Sequence, residues 1–509
     1  MEKKPGVVKF EEAMEIAGFG KYSLFITFLS ALTLFTSLLG SADVSFLMPA
    51  AECDLQLSSQ DKGMLGSAFF MGMIAACHLS GFLSDTLGRR YVLVRGLSLN
   101  IFTYVLGAFS PNFLMLFILK VISGVLSCPT MIATIPFLGE CVPSSKRAQS
   151  VLIATALSFT SLLFSSLVGW LTLTAVWEID IWFVIFKPWR LFYLICGLPG
   201  CVCAVLYYII SESPRFMINR GRTEETMMVL QKIYKFNTGN SAKSYPVLFV
   251  TMDSEEVEPP VQGKGALGML KHIYDQTSPL FKKPHVKNLI LCVILMFVAF
   301  LSMNSILLWL PEVANRIAFS REQHEESQMM CQMVMVQYSA NATTTEKCSE
   351  AIDTAVFLPN FILGIVFPAV MLSASVIIRL LEKKLILVIL MIVNSSLCLL
   401  LTWIPYPTVI MVVFGAIPIL SGICYNIICT ILIELFPTYI RAMAVSLTII
   451  CGRLGSVIGS QMFSYLIDSH CSLLLELIAV LLLCCAPLPF GFGFKNEKFQ
   501  QSTIDKREM

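Results

Sequence analysis

Charge is scarce in this 509-residue sequence. Only 14% of it is Asp, Glu, Lys or Arg, against about 25% in ordinary soluble chains. Apolar residues make up 56%, and the mean hydropathy is +0.75. That poverty of charge excludes a soluble globular protein and leaves a polytopic membrane protein. No cysteine pair has the C-x-x-C spacing of a zinc site, although the chain holds 17 cysteines. Most of them, such as Cys77, Cys196, Cys201, Cys424 and Cys484, lie in apolar segments as small hydrophobes. No metal, nucleotide or nucleophile constellation is present, so neither an enzyme nor a cofactor is expected. A net charge of +2 without a basic and aromatic patch gives no reason to expect nucleic acid. Nor does Met1 to Gly20 hold a secretory h-region. The first apolar run, Tyr22–Ala50, is far longer than the roughly 7–15 residues of one and reads as a retained first span.

What the sequence does have is apolar runs of spanning length, roughly 20 residues each. Twelve are expected. The first six are Tyr22–Ala50, Lys62–Leu83, Tyr91–Ser110, Asn112–Leu138, Ala148–Ala175 and Trp189–Ile210. The second six are Asn288–Leu310, Ala355–Leu380, Leu385–Trp403, Thr408–Leu435, Ala442–Ile467 and Cys471–Phe490. The organisation is then a cytoplasmic N-terminus (1–21), a six-helix bundle (22–210), a cytoplasmic linker (211–287), a second six-helix bundle (288–493, with an outer loop at 311–354) and a cytoplasmic tail (494–509). Basic residues set the orientation. Lys3, Lys4, Lys9, Lys21, Arg89, Arg90, Arg95, Lys146, Arg147, Arg379, Lys383, Lys384 and Arg441 share one side. Glu52, Asp54, Asp61, Glu322, Glu325, Glu326, Glu346, Glu350 and Asp353 share the other. The positive-inside rule puts both termini in the cytoplasm.

The chain repeats itself. ECVPSSKRAQSV (Glu140 to Val151) and ELFPTYIRAMAV (Glu434 to Val445) both read E-x-x-P-x-x-x-R-A-x-x-V. At the same offset GFLSDTLGRR (Gly81 to Arg90) falls on SVIIRLLEKK (Ser375 to Lys384), so that Arg89-Arg90 coincide with Lys383-Lys384. Two windows in one register argue for an internal duplication. It is intact at the first window and eroded at the second, where Asp85 meets Arg379 and Gly88 meets Glu382.

In the linker, Thr223 caps a predicted helix with Glu224 and Glu225 in its first turn, and Met227, Leu230 and Tyr234 recur at helical spacing. Leu267, Leu270 and Tyr274 predict a second short helix. Both suit a cover under the bundle or a regulatory docking surface. The outer loop holds a glycosylation sequon at Asn341. Cys331 and Cys348 share that loop and are positioned to bridge; Cys331 pairing with Cys53 or Cys471, or two free thiols, are the alternatives.

Six spans, a link, six spans and loop motifs repeated between halves resemble the major facilitator superfamily. GFLSDTLGRR is similar to its signature between spans 2 and 3, with Gly81, Asp85, Gly88, Arg89 and Arg90 in place and Thr86 where a basic residue is usual. SESPR (Ser211 to Arg215) and the two E-x-x-P-x-x-x-R stretches resemble the branch of sugar porters, organic ion transporters and synaptic vesicle glycoprotein 2. LSSQDKGMLGSAF, KPWRLFYLICGLPG and SESPRFMINRGRTEE are similar to loop 1–2, span 6 and the span-6 exit of synaptic vesicle glycoprotein 2, and AECDL also resembles an insect-type synaptic vesicle glycoprotein 2-like protein. Those vesicle proteins have a longer polar N-terminal tail and a larger loop between spans 7 and 8. Their Asp and Glu pair in span 1 is replaced here by Asp43 alone.

The resemblance implies an all-α major facilitator fold of 12 transmembrane helices in two pseudo-symmetric halves. It also implies a transporter of a small organic solute working as a rocker switch. A non-transporting vesicle-type protein acting in trafficking or partner binding is the alternative. A gate at the cytoplasmic span ends is implied, made by inter-half bridges among Glu140, Arg147, Glu434 and Arg441, with Asp85, Arg89, Arg90 and Arg453 nearby. A plainer role for the acids and bases is to hold the turns at Pro143 and Pro437. Arg453 is expected to pair with Glu140, Asp85 or Glu434, or to bind a solute carboxylate, and Lys120 to snorkel. The midplane cavity is expected to draw on Asp43, Thr155, Ser158, Asn304, Asn360, Tyr425 and Asn426, any of which can instead join helices. The expected partners are the solute and the lipid bilayer of a plasma membrane or intracellular vesicle, around a monomer.

Overall fold

The computed structural model describes residues 7–181, 184–251, 277–323, 328–341, 352–377 and 382–493. Twelve of its helices are long and apolar enough to cross a bilayer. Spans 1 to 6 are Lys21–Ala50, Ser59–Leu87, Arg89–Ala108, Phe113–Cys141, Ser144–Leu173 and Pro188–Ile209. Spans 7 to 12 are His285–Arg321, Thr354–Ala374, Lys383–Leu401, Pro407–Leu435, Met443–Leu466 and Cys471–Gly491. Helix is the form such runs must take, because no water in a bilayer can satisfy a free backbone N–H or C=O. The result is the all-α, two-halved membrane fold expected from the sequence. We call the face carrying the N-terminal helix and the central segment the terminal face, and the other the loop face.

Two elements differ from expectation. Span 5 is broken into Ser144–Ser158 and Ser161–Leu173. At the break the N–H groups of Phe159 and Thr160 reach only three residues back, to Ala156 and Leu157. The span 7 helix runs on from His285 to Gln323, through residues expected to be loop. Val313, Ala314 and Ile317 are buried at helical spacing along this extension, and Glu312 bonds Arg316 one turn on, so tertiary contacts carry the helix past Pro311. The same loop holds a further helix, Met330–Asn341. Asn341 closes it, and its side chain lies outside the described residues.

The terminal face carries a cover under the first half. Helix Phe10–Ala17 buries Phe10, Ala13, Met14 and Ala17 in a cluster with Val229, Leu230 and Ile233 of linker helix Thr223–Thr238. The linker helix starts after Arg222, so Thr223 lies within it rather than capping it, and Met227 and Tyr234 are only half-buried. Strand Val7–Lys9 pairs in parallel with Phe249–Thr251. Asn237 donates to Gly18 O at 2.6 Å and accepts from Tyr22 N at 3.0 Å. Glu15 accepts from Ser144 Oγ and Ser145 N, which hold its carboxyl below the usual carboxylate range. The expected helix around Leu267, Leu270 and Tyr274 and the tail 494–509 lie outside the described residues.

The halves meet along span pairs 2 and 11, 5 and 8, and 1 and 7. Gly364 of span 8 lies so near span 5 that a Cβ there would stand 2.2 Å from Leu163 N. Phe159 stacks on Phe367 beside it at 4.2 Å. Gly88 ends span 2 at φ 103°, in the left-handed region that favours glycine. A Cβ there would also strike the Glu212 carboxylate.

The disulfide expectation is corrected. Cys331 bonds Cys471, not Cys348, because helix Met330–Asn341 packs on the start of span 12 with the two Cα atoms 5.5 Å apart. Cys53 is also disulfide-bonded, and Cys348 lies outside the described residues. Non-reducing peptide mapping is expected to recover a linked peptide containing Cys331 and Cys471. Recovery of Cys331 as a free thiol, or joined elsewhere, contradicts the pairing.

Candidate functional site

The duplicated windows explain each other. At the terminal face Arg89 Nη2 lies 3.2 Å from Glu140 Oε1, so the start of span 3 is tied to the end of span 4. In the second half Lys383, at the position matching Arg89, bonds Glu434, at the position matching Glu140. Each pair stays inside its own half. Glu140 also accepts from Ser213 Oγ at 2.5 Å, and Arg89 holds Asp85 at 3.1 Å. Arg90 donates to Tyr207 O at 2.9 Å and Tyr208 O at 2.6 Å. Arg147 is held by Glu11 of the N-terminal helix at 2.8 Å, whereas Arg441 reaches Phe436 O at 3.2 Å. Among the described residues no ion pair joins the halves at this face. The expected bridges between the two E-x-x-P-x-x-x-R turns are therefore replaced by bridges within each half. The reason is reach: each acid has its own half's span 3 or span 9 cation beside it.

Among the described residues, ion pairs that join the halves lie at the loop face. Lys62 of span 2, 1% exposed, bonds Glu312 of span 7 at 2.8 Å and Glu52 at 2.7 Å. Arg316 bonds Glu312 at 2.9 Å and Asp468 at 2.6 Å, and donates across the seam to Ser59 Oγ at 3.3 Å. One turn deeper Ser460 Oγ donates to Gly63 O and Gln461 Nε2 to Ser67 Oγ. Three acids face two bases here. Burial, with Glu312 beside it, raises the Glu52 carboxyl above its ordinary range. Sequence reasoning assigned Glu312 and Arg316 to a loop. Their i, i+4 spacing directly after an apolar run was the available clue.

Two further charges lie inside. Asp43 of span 1 and Lys120 of span 4 are fully buried and bond at 2.6 and 2.8 Å. The Lys120 ammonium sits 4.7 Å from the Tyr193 ring and 5.2 Å from that of Tyr104, and donates to Gly40 O. Lys120 therefore does not snorkel, and Asp43 is a structural counter-ion rather than an open cavity residue. Arg453 of span 11 reaches across the seam to Met73 O at 3.5 Å, Cys128 Sγ at 3.3 Å and Met131 Sδ at 3.7 Å. None of Glu140, Asp85 and Glu434 pairs with it.

The expected cavity residues divide. Thr155 and Ser158 bond back to their own helix, at Val151 O and Thr155 O. Asn304 joins span 7 to span 11 through Ser456 Oγ at 2.8 Å, and Asn426 reaches Met371 Sδ and Gly422 O. Tyr425 packs edge-on against Phe300. Asn360 differs: it is 1% exposed, and neither amide atom has a hydrogen-bond partner. Its neighbours on span 8 meet span 5 in antiparallel order, Phe357 against Gly169 and Gly364 against Leu163. That order sets Asn360 level with Ser166, whose hydroxyl is also buried without a partner.

The profile of the Major Facilitator Superfamily matches residues 24–460. Human synaptic vesicle glycoprotein 2B is 24% identical over 339 residues, 63% of this chain and 49% of that protein. Synaptic vesicle glycoprotein 2A of Bos taurus is 26% identical over 247 residues, 48% of this chain and 33% of that protein. The chain spans half or less of the length of these curated relatives. In the solved structures, the inward open conformation of the xylose transporter XylE from E. coli superimposes with a TM-score of 0.67 at 16% identity, over 94% of this chain and 97% of that one. The partially occluded inward open form gives 0.64 at 16% identity, over 93% and 99%.

Breaking a buried pair leaves an uncompensated charge, at about 3–5 kcal/mol, whereas replacing both partners with apolar residues is far milder. Asp43→Leu and Lys120→Met are each expected to lower the detergent-solubilised protein's melting temperature sharply. The double variant Asp43→Leu with Lys120→Met is expected to recover most of the loss. Additive losses in the double variant contradict the pairing.

Proposed function

The chain belongs to the major facilitator superfamily, and on that premise we propose that it transports a small organic solute across its membrane by rocking its two six-helix halves. The reading rests on the placement of inter-half charge. A five-residue network, with Lys62, Glu312 and Arg316 buried and Glu52 and Asp468 half-buried at its edge, clasps the halves at the loop face. At the terminal face Arg89–Glu140 and Lys383–Glu434 bind each half internally. A clasp on one side, with two internally braced bodies on the other, suits rigid rocking about the span pairs that form the seam. The gate is then the loop-face network, and Asp85, Arg89, Arg90, Glu140, Arg147, Glu434 and Arg441 are braces of the rocking bodies. The basic side favours a cytoplasmic terminal face, with both termini there. A monomer in the plasma membrane or an intracellular vesicle fits this reading, and the relatives' names lend the vesicle support.

Ion pairs of this kind suit a switch, because the desolvation cost nearly cancels the attraction. In the open state Glu52 would be hydrated, with its ordinary pKa. The closed state holds the higher pKa, so it binds the proton more tightly, and lowering the pH favours closure through this group.

Uptake into proteoliposomes across a metabolite panel is the direct test. Folded protein that moves nothing in the panel contradicts transport. For the clasp, Ser67→Cys is expected to react with a membrane-impermeant maleimide several-fold faster once Glu312→Gln is added. An unchanged rate removes the clasp from the mechanism. In a spectroscopic distance measurement across the loop face, closure is expected to increase as pH falls from neutral, and Glu52→Gln to flatten that dependence.

A further inference from the structure

A groove of about 770 Å³ lies at the loop-face end of the second half, between spans 8 and 10, with the extension of span 7 as its back wall. It falls within the roughly 300–1,000 Å³ of small-molecule sites. Ala314, Ile317, Ala318 and Arg321 line it at the i, i+3, i+4 and i+7 spacing of one helix face. Glu312 and Arg316 of the clasp lie on the opposite face of the same helix. On span 8, Leu358, Ile362 and Val366 line the groove, while Phe357, Gly364 and Phe367 face span 5. The groove therefore opens away from the seam, toward lipid. Leu358, Ile362 and Val412 in its walls are 57%, 49% and 67% exposed.

Its chemistry changes with depth. The walls are apolar, and the charged lining residues, Arg321 and Asp353, both stand at the loop-face rim. Among the described residues Arg321 has no ion pair, and Asp353 uses only Oδ1, which accepts from Ala355 N and the Thr354 hydroxyl. From Pro407 to Ile419 the groove follows span 10, a rise of about 18 Å at ~1.5 Å per residue. One leaflet of a roughly 30 Å hydrocarbon core is about 15 Å deep. The groove thus has the depth of one leaflet, an apolar body, and a cation and an anion at its polar end. A chain leaving bulk lipid gains no hydrophobic energy, so close packing of the tail and pairing of the rim charges must retain it. A free anion would use only the rim, and an uncharged amphiphile only the walls.

We propose that the groove holds one zwitterionic phospholipid of the loop-face leaflet. One acyl chain lies between spans 8 and 10, the phosphate pairs with Arg321 and the ammonium with Asp353. The guanidinium fork suits a phosphate with two parallel hydrogen bonds. Seated there, the lipid packs behind the helix that carries Glu312 and Arg316. The site stands whether or not a solute is carried.

The full-length protein is reconstituted in phosphatidylcholine vesicles doped with phosphatidylcholine bearing a diazirine near the end of one acyl chain. After irradiation, lipid adducts are mapped by peptide mass spectrometry. Adducts at Val366 and Ile419, deep in the groove, are expected at several-fold higher yield than at Ile392 and Val480, which are exposed near the middle of spans 9 and 12. Gly415 lines the groove, and a Cβ there meets Leu363 at an ordinary 3.5 Å. Gly415→Leu is expected to cut the groove yield several-fold and to leave Ile392 and Val480 unchanged. Arg321 is exposed at the rim, so its replacement spares the packing. Arg321→Gln is expected to lower the groove yield several-fold, and Arg321→Lys to keep most of it. A groove yield no higher than at Ile392 and Val480 overturns the proposal, as when the chain's own outer loop fills the groove. A yield that survives Gly415→Leu or Arg321→Gln also overturns it.

Discussion

A bilayer interior tolerates a side-chain charge where an opposite charge lies beside it, and this constraint shapes the whole structure. The few charges in the spans are not scattered. Asp43 meets Lys120 in the core of the first half, and Lys62 and Arg316 share Glu312 at the seam. Arg190 takes Asp54 at 2.8 Å, with Trp189 donating to the same carboxylate. Apart from Arg316–Glu312, one turn apart on span 7, each pair couples elements distant in sequence and so fixes how they lie. Packing then fills in around them. Tyr104 and Tyr193 enclose the Lys120 ammonium, and Trp309 stacks on Phe463 beneath the loop-face clasp.

The same constraint separates bracing from gating. A pair within one half moves with that half and costs nothing when the halves rock. A pair across the seam must break for them to part. Arg89–Glu140 and Lys383–Glu434 are of the first kind, and Lys62–Glu312 is of the second. The N-terminal and linker helices extend the bracing of the first half alone. Glu11 holds Arg147 and Arg215, and Tyr245 Oη donates to Ala13 O at 2.7 Å. The two halves share a plan at their span ends, and this underside belongs to the first half.

Much of this was legible in the sequence. The count of twelve spans follows from local hydropathy, because a helix in lipid satisfies its own backbone and needs no partner to be recognised. The duplication was legible for a similar reason. Glu140 with Arg89 and Glu434 with Lys383 must each be kept as a pair, so both windows survive in one register. The partners themselves were not legible. The repeated acids and bases suggested bridges between halves, and distance in the folded chain gave them neighbours within each half.

Sequence alone determined the class of the protein, the number and order of its spans, its doubled plan and some of the charges inside them, Asp43, Lys120 and Arg453 among them. Those properties are set by composition along a single helix length. Tertiary structure decided which charge meets which. Lys120 meets Asp43 and Cys331 meets Cys471, while Glu312 and Arg316 leave the expected loop for the heart of the clasp. Pairing depends on which helices pack side by side and at what depth, and no local pattern encodes that. Arg453 belongs to both accounts: its residue type and span could be read from the chain, but only the fold leaves it at the seam without an acid.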